Sequence, residues 1–488
     1  MNWLDRGIAS VAPTWAARRA QSRSILAAYE AAQSTKLRRQ RTSNESGNGA
    51  VMMAGGRLRD QARWLDENHD LARGVLNTLV NGAVGATGIG IEPAPRNKGK
   101  GDINDDLKWA LLKAYREWSQ NPEVTGQFDA AGMDRLMCRS WLRDGEAFGQ
   151  HVIGTWDTAP HLTSIPYSVE MLEADFVPLD MTEPPRVYQG VEINAWQRPV
   201  GYHVYKTHPR DILSYTDSST KRIPAERMIH LKLADRIGQL RGVSIFASGL
   251  GRLEDIKDYE DSERVAAKIA ANFAAMIRKG DPGMYDPGRA DEDRTMPMRP
   301  GMIFDDLRPG ESVEMIDTKR PNTMLVEFRK GQLRALSAGT GASYSSVARD
   351  YDGSYSSQRQ ELVENWVAYS ALAQAFIAQV KVKQYRQFVE AVRLSGKVKI
   401  PRSVDLATIY DALYIPPQMP WIDPRKEVEA YALMEDRTYM SGPEIVRRFG
   451  GQPNDVIDTQ ERWLADKKAA GIELPNEKLS NEPNPVTE

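Results

Sequence analysis

The spacing of apolar residues divides the first half of the chain into a helical part and a β-rich part. An apolar stripe from Leu58 to Val80 predicts helix with a break near residues 66–70, and further helices follow over residues 102–121 and 129–144. From Glu146 to Leu233 the period changes to alternation, as in VGYHVYKTH and RMIHLKL. This change predicts an antiparallel β region with a hairpin around Gln197–Pro199.

The second half is organised around residues 251–396. A first long helix is predicted over residues 253–279, followed by an excursion over residues 281–322 that is rich in proline and acid. Two short strands are predicted within the excursion, at residues 302–304 and 313–316. The chain returns through a short helix over residues 323–337, a loop rich in Gly, Ser and Tyr, and a second long helix over residues 358–394.

The two predicted long helices differ in the apolar residues on their faces. One face of the first carries a line of large apolar residues, and alanines cover much of the rest, so other helices can approach it closely. That face consists of Val265, Ile269, Phe273, Met276 and Ile277. The second carries a core stripe of Leu362, Trp366, Tyr369, Leu372, Ala373, Phe376, Ile377 and Val380.

The two ends of the chain are less regular. Residues 1–50 are predicted to form a basic, partly helical arm that ends in a linker, Ser43–Ala50. The arm either docks on a partner or touches nucleic acid, or it is simply a solvated basic helix with a frayed end. Near the other end, Pro424 is placed at a helix start, Ser441 and Glu444 resemble a capping box, and three short helices are predicted. Residues 471–488 read as a disordered tail.

Charge and cysteine content narrow the possible functions. Lys and Arg total 64 and Asp and Glu total 66, a formal net charge of −2, which argues against tight binding to DNA phosphates. The single cysteine, Cys138, excludes a disulfide framework within one chain. The sequence has neither an apolar run long enough for a membrane span nor a secretory signal, so a cytosolic assembly environment is expected.

No pattern of residues points to catalysis, a metal ion or a cofactor. The six histidines are scattered, and Glu170, Glu173 and Asp175 have a spacing that is common without Mg²⁺. The glycines at 82, 85, 88 and 90 lack phosphate-loop spacing and are better explained by a helix that ends before a strand at residues 89–92. We therefore expect neither an enzyme nor a bound cofactor.

Five segments stand out, in this order along the chain: LDENHDLARGVLNTLVNGAVGATGIGIEP, RDGEAFGQ, IHLKLADRIGQLRGVS, DYEDSERVAAKIAA and RDYDGSYSSQR. Together they resemble lambda-type tailed-phage portal proteins, the head-tail connector family. Ser354 stands where the family's Asn-Tyr-Ser-Ser sequence has asparagine. The resemblance covers about residues 10–470.

The resemblance implies an α+β, mainly helical portal fold that assembles as a ring. Its parts would be an N-terminal arm and linker (1–50), a wing of helices and antiparallel β structure (51–250), a first stem helix (251–280) and a clip (281–322). A second stem helix (323–338), a tunnel loop (339–357), a long wing helix (358–396), C-terminal wing or crown helices (397–470) and a tail (471–488) would follow.

The resemblance also implies a function. A ring, typically of twelve subunits, would sit at one capsid vertex of the virion, after assembly in the host cytoplasm. Double-stranded DNA would pass through it without sequence specificity, during packaging by the terminase and again at ejection. The expected partners are further copies of the chain, the terminase large subunit, the major capsid protein and scaffold, and neck or tail connector proteins, without a membrane.

Candidate residues follow from the position of each segment in that scheme. The basic and aromatic residues nearest the tunnel loop are expected to face the channel or the DNA: Lys330, Arg334, Tyr344, Arg349 and Tyr351. Acids of the clip are expected to meet the terminase or a connector: Asp291, Glu292, Asp293, Asp305 and Asp306. The apolar face Val265, Ile269, Phe273, Met276 and Ile277 is expected to pack between subunits.

Two other classes of protein were weighed against this interpretation. A nucleic-acid-processing enzyme, either a nuclease or a packaging motor subunit, would need clustered carboxylates or a phosphate loop. A non-portal capsid or scaffold protein is disfavoured by the helix–excursion–helix arrangement. Images of the purified protein separate the three, since only a portal predicts a ring with a central hole.

Overall fold

The computed structural model describes residues 14–15, 43–99, 101–157, 159, 161–211, 219–272, 276–279, 311–314, 324–419, 424–449 and 451–470. The chain divides into two compact units, Met1–Ala50 and Val51–Glu488. Helices in the described part are α1 (Gly47–Asn68), α2 (Asp70–Ala83), α3 (Asp105–Trp118), α4 (Ala130–Asp144), α5 (Leu250–Asn272), α6 (Met324–Thr340), α7 (Tyr344–Ala348), α8 (Tyr355–Phe376), α9 (Val382–Ser395), α10 (Pro424–Asp436), α11 (Gly442–Arg448) and α12 (Pro453–Ala469).

The strands are short and, in every named pair, antiparallel. They are β1 (Gly90–Pro93), β2 (Glu146–Ile153), β3 (Tyr167–Leu172), β4 (Val187–Tyr188), β5 (Val191–Ile193), β6 (Pro199–Tyr205), β7 (Thr220–Pro224), β8 (Met228–Lys232), β9 (Met276–Lys279), β10 (Glu311–Glu314) and β11 (Ala412–Ile415). The fold is thus mainly helical with antiparallel sheets, as expected.

The first helices begin and end where polar caps place them. Ser46 Oγ accepts a hydrogen bond from the Gly49 amide at 3.1 Å, so α1 begins at Gly47 and the predicted linker over Ser43–Ala50 is too long. The predicted break is confirmed at His69, whose Nδ1 caps α2 by accepting from the Leu71 amide at 3.3 Å. A strand follows the glycine-rich segment at residues 90–93, close to the prediction.

The β region forms two sheets with a small core between them. One sheet has the order β3-β2-β8 and the other β4-β5-β6-β7. The predicted hairpin is confirmed: Asn194 Oδ1 accepts from the amides of Trp196 and Arg198, and Gln197 has φ 59°. The small core consists of Phe148, Leu172, Ala174, Val177, Val191, Tyr202, Val204, Ile223 and Met228.

A larger core joins α2, α4, the three-stranded sheet and the long helix. Trp118 stacks on Tyr167 with ring centroids 5.3 Å apart, and Phe388 lies against Trp118 at 5.6 Å. The long helix is continuous from α8 to α9 through a π-helical segment, Ile377–Lys381. Of its predicted core stripe, Tyr369, Ala373, Phe376, Ile377 and Val380 are buried, whereas Leu362, Trp366 and Leu372 are half-buried.

The first long helix is shorter than predicted. It ends at Asn272, and Met276 and Ile277, predicted on its apolar face, lie in β9. The register pairs Ile277 with Val313 and Lys279 with Glu311. The helical period of a sequence depends only on nearby residues and gives no sign of a pairing partner more than 30 residues away. The prediction of helix for these residues was therefore wrong, because pairing with β10 decides their conformation.

The excursion and the loop also differ in detail from the predictions. A strand occurs at Glu311–Glu314, overlapping the one predicted at residues 313–316, but its partner is β9, and residues 302–304 lie outside the described residues. The Gly/Ser/Tyr loop contains a helical turn, α7, because Ser343 Oγ accepts from the Ser346 amide at 3.1 Å.

The C-terminal part contains the three predicted helices, α10 to α12, and α10 starts at Pro424 as expected. The capping box is wrong. The Glu444 amide donates to the backbone oxygen of Ser441 at 3.0 Å, and the Ser441 hydroxyl makes no capping hydrogen bond. Among the described helices, none combines the length and apolar character that spanning a membrane requires.

Candidate functional site

A groove of about 460 Å³ lies where α5, α6 and α7 meet. Leu333 of α6 is buried at its base, and Tyr344 of α7 lines one wall. An ion pair between Arg329 Nε and Glu260 Oε1, 2.9 Å apart, connects α6 to α5. The groove therefore joins the two predicted stem helices to the start of the predicted tunnel loop.

Three of the five residues expected near DNA come together beside this groove. The Tyr344 hydroxyl donates to Asp350 Oδ2 at 2.9 Å, and Lys330 Nζ lies 3.5 Å from the same oxygen. The Arg334 guanidinium lies over the Tyr344 ring at 5.4 Å. The hydrogen bond from Tyr344 holds the pKa of Asp350 below its ordinary value, so Asp350 is a carboxylate that offsets the Lys330 charge.

The other two residues, Arg349 and Tyr351, extend away from this cluster. Arg349 ends α7 in the left-handed conformation, with φ 55°, and its side chain is exposed. Tyr351 is 55% exposed, and the chain stays exposed through residue 357. Within the described part of the chain, no ion pair includes Arg349, so its charge is available to a ligand.

For the residues expected in the stem contact and in the clip, the structure describes only one side chain, that of Val265. Val265 is 55% exposed on α5, as a residue that packs against another molecule would be in one isolated subunit. The side chains of Ile269, Met276 and Ile277 lie outside the described residues, as do Phe273 and all five clip acids, Asp291, Glu292, Asp293, Asp305 and Asp306.

Sequence reasoning missed a buried cluster of charges around Glu146. Its carboxylate contacts Arg241 Nη2 at 2.6 Å, Arg59 Nη2 at 2.9 Å and His230 Nε2 at 3.2 Å. Burial opposes ionisation of Glu146, but Arg241 and His230 outweigh it and hold its pKa well below the ordinary value. The only signal in the sequence is that Glu146 and Arg241 lie in RDGEAFGQ and QLRGVS, two of the segments that carry the family resemblance.

Two glycines let these two segments meet. Gly145 has φ 87°, and a Cβ there would lie 2.3 Å from the backbone of Val243. A Cβ on Gly242 would lie 1.9 Å from the Gly145 oxygen. The close approach lets the Gly242 amide donate to Glu146 Oε2 at 3.0 Å. Two of the segments that carry the family resemblance therefore form one buried structural cluster.

One group of possible metal ligands is closer together than the sequence suggested. His208 Nε2 lies 3.3 Å from Glu173 Oε2, and Asp175 is beside them, although no residue was expected to converge with these acids. Arginines already occupy the carboxylates: Arg63 Nη2 lies 2.5 Å from Asp175 and Arg210 Nε lies 3.5 Å from it. A metal ion would have to displace these cations, so the group is an ion-pair network.

The family described as "Phage portal protein, lambda family" matches residues 33–372. The "Probable portal protein" of Halomonas phage phiHAP-1 is 25% identical over 435 residues, covering 86% of this chain and 82% of the relative. "Portal protein B" of Escherichia phage lambda is 23% identical over 367 residues, covering 68% of each chain. These relatives are structural components of phage particles rather than enzymes.

Two solved structures are similar to the chain over most of its length. A chain from "Neck of native GTA particle computed with C12 symmetry" has a TM-score of 0.46 and 13% identity, over 83% of this chain and 98% of that one. A chain from "Virion of native gene transfer agent (GTA) particle" has a TM-score of 0.45 and 12% identity, over 83% and 99%.

Proposed function

The chain belongs to the lambda family of phage portal proteins, and from that premise we propose that it forms a ring at one vertex of a phage capsid. Double-stranded DNA enters through the centre of the ring during packaging and leaves by it at ejection. The observation that carries the proposal is the family match over residues 33–372, which includes α5, α6, α7 and most of α8.

The charge of the chain supports a channel in which DNA slides. A net charge of −2 gives each subunit little overall attraction for phosphates, and tight binding at many phosphates would stall movement. Of the five candidate residues, Lys330 is offset by Asp350 and Arg334 lies over the Tyr344 ring, whereas Arg349 and Tyr351 are exposed and extend away from this cluster. These two residues are our candidates for direct contact with DNA, through one phosphate contact and one aromatic surface.

The partners follow from the same proposal. Copies of the chain pack head to tail around the ring, with Val265 of α5 in the contact, since a heterologous interface that closes gives a cyclic assembly. The clip acids, Asp291 to Asp293 above all, meet the terminase during packaging and a neck or tail connector afterwards. Reversing the charge of those three residues is expected to weaken terminase pull-down; unchanged pull-down would count against the role.

Negative-stain images of the purified full-length protein test the central claim. A ring with a central hole is the expected result, and twelvefold class averages would fix the subunit number. Incubation of the same sample with linear DNA and Mg²⁺ provides the opposing test. Monomers that cleave DNA in a metal-dependent way would favour a nucleic-acid-processing enzyme and would reject the portal.

A further inference from the structure

The short helix α7 is held at its N-terminal end by one carboxylate of the long helix. Glu361 Oε1 accepts from the Ser343 hydroxyl at 2.8 Å and from the Ser345 amide at 3.0 Å. Glu361 Oε2 accepts from the Ser345 hydroxyl at 2.5 Å. Three donors from a three-residue stretch thus converge on a single side chain of α8.

A second contact between the same elements adds to this attachment. The Ser343 amide donates to the Tyr369 hydroxyl at 3.1 Å, two turns further along α8. Tyr369 is 5% exposed, and its side chain fits against Gly82 of α2, where a Cβ would lie 2.5 Å from Cγ of the ring. The Tyr369 ring is fixed by packing, whereas Glu361 is fixed only through its hydrogen bonds with α7 in the described contacts.

Other side chains connect α7 to α6. Tyr344 reaches Asp350, Lys330 approaches the same carboxylate, and Arg334 covers the Tyr344 ring. The short helix is therefore connected to both α6 and α8, and it also packs against α2. Arg349 comes directly after it, so the position of α7 determines where the exposed segment starts.

We propose that Glu361 is a positioning residue that fixes α7 against α8 and thereby sets where Arg349 and Tyr351 stand. This inference rests on the proposed function, because those two residues are our candidates for contact with DNA. Glu361 itself contacts Ser343 and Ser345, so it acts on DNA only through the placement of the loop.

Glutamate suits this role better than its amide. Both of its oxygens accept, and all three partners are donors, so every hydrogen bond is made to a charged group. Burial opposes ionisation, but the hydrogen bonds from Ser345 outweigh it and keep the pKa of Glu361 below its ordinary value. In Glu361→Gln, one oxygen becomes an NH₂ group that faces the Ser345 hydroxyl, so at least one of the three bonds is lost or reversed.

Hydrogen–deuterium exchange on the purified full-length protein, without DNA, tests the attachment. In Glu361→Gln, amides of residues 343–348 are expected to exchange about tenfold faster or more, since hydrogen bonds to charged groups are among the stronger ones. Glu364→Gln is the matched control, because it makes the same chemical change three residues further along α8. The Glu364 side chain is exposed and accepts a hydrogen bond from Gln360. Exchange in the control is expected to match wild type.

A double-mutant cycle separates positioning from a general loss of stability. In a Ser343→Ala/Ser345→Ala background the hydroxyl donors are absent, so Glu361→Gln is expected to add less than half of its effect in wild type. An undiminished effect in that background would overturn the proposal, as would unchanged exchange in Glu361→Gln. Should Glu361→Gln fail to fold, the single variant Ser345→Ala, which removes one of the three bonds, carries the same exchange test.

Retention of packaged DNA tests the consequence. Particles with Glu361→Gln are expected to hold less nuclease-protected DNA than particles with Glu364→Gln, at equal portal content. Faster exchange together with normal DNA retention would reject the link between loop position and DNA while leaving the attachment intact. A failure of the ring test would instead reject the proposed function and leave the exchange result standing.

Discussion

At the scale of single residues, the charge of a buried titratable group depends on which hydrogen-bond partners and charges surround it. His230 is an example: its Nε2 faces Glu146 Oε2 at 3.2 Å and its Nδ1 faces the Tyr202 hydroxyl at 3.3 Å. A neutral ring satisfies both contacts, with Nε2–H as donor and Nδ1 as acceptor. Since two arginines already contact Glu146, a further positive charge there is unfavourable.

This arrangement predicts a loss of stability in acid. Burial lowers the pKa of His230 from 6.5 to about 4, so between those values the unfolded chain binds a proton that the folded chain does not. Stability therefore falls as pH falls from about 6.5 to about 4, by up to roughly 3 kcal/mol for this group. Denaturant unfolding at pH 7, 6, 5 and 4.5 measures the decline.

The matched variant for the acid effect is His230→Gln, which keeps a donor and an acceptor but does not titrate. His151, whose burial also lowers its pKa to about 4, remains in the variant. The decline between pH 6.5 and 4 is therefore expected to become shallower without vanishing. An equal slope in variant and wild type would contradict the assignment.

At the scale of elements, the π-helical segment rotates the second half of the long helix, α9, relative to the first half, α8. Lys381, at the end of this segment, is fully buried, and its Nζ contacts Asp134 Oδ2 of α4 at 2.9 Å. An extra residue in one helical turn rotates everything that follows it, so the apolar face of α9 is offset from that of α8. The ion pair fixes that rotation against α4.

Breaking this pair on one side is expected to be costly. Lys381→Met leaves Asp134 buried without its cation, for a loss of about 3–5 kcal/mol in the free energy of unfolding. The double variant Lys381→Met/Asp134→Asn should recover most of that loss, because the amide oxygen still accepts from the Ile89 amide. Lys399→Met, on an exposed residue, is the control, and a loss no larger than in that control would contradict the role of the pair.

The crossing of α2 and α8 gives a second prediction at this scale. Gly82→Ala places a Cβ 2.5 Å from Cγ of Tyr369, so the ring must move, at a cost of about 1–3 kcal/mol. Gly56→Ala in α1 is the control, since nothing lies within 4 Å of its Cβ and alanine favours helix there. Thermal unfolding midpoints should fall for the first variant and hold or rise for the second; equal midpoints would contradict the packing argument.

At the scale of the whole molecule, a net charge of −2 gives the chain little overall attraction for DNA phosphates, so single exposed residues of the loop matter. Arg349→Glu is expected to reduce the amount of DNA packaged or retained while rings still form. The control is Lys399→Glu, an equal change of charge on an exposed residue outside the loop. Nuclease-protected DNA per particle, with ring formation checked by negative stain, is the measurement. Normal packaging by Arg349→Glu would remove this residue from the DNA interface.

The sequence by itself determined those features whose causes are local. The break at His69, the helix predicted over residues 129–144 and found as α4, the hairpin at Gln197 and the start of α10 at Pro424 depend on residues a few positions apart. The family resemblance could also be recognised from the sequence, because it depends on several segments and on their order along the chain. The sequence also predicted an irregular stretch between α6 and α8, but it did not predict the helical turn α7 within that stretch.

Only the tertiary structure decided which distant residues meet. Met276–Lys279 forms a strand because it pairs with Glu311–Glu314. The helical period reports only the residues within a few turns of each other, so it contains no information about such a distant partner. Likewise Glu146 contacts Arg241 and Arg59 only because the chain folds. The contacts of Glu361 with Ser343 and Ser345 also arise from folding, and the spacing of these residues along the sequence did not indicate them. Hydrogen bonds and ion pairs act over a few ångströms in space, and the sequence specifies only distance along the chain.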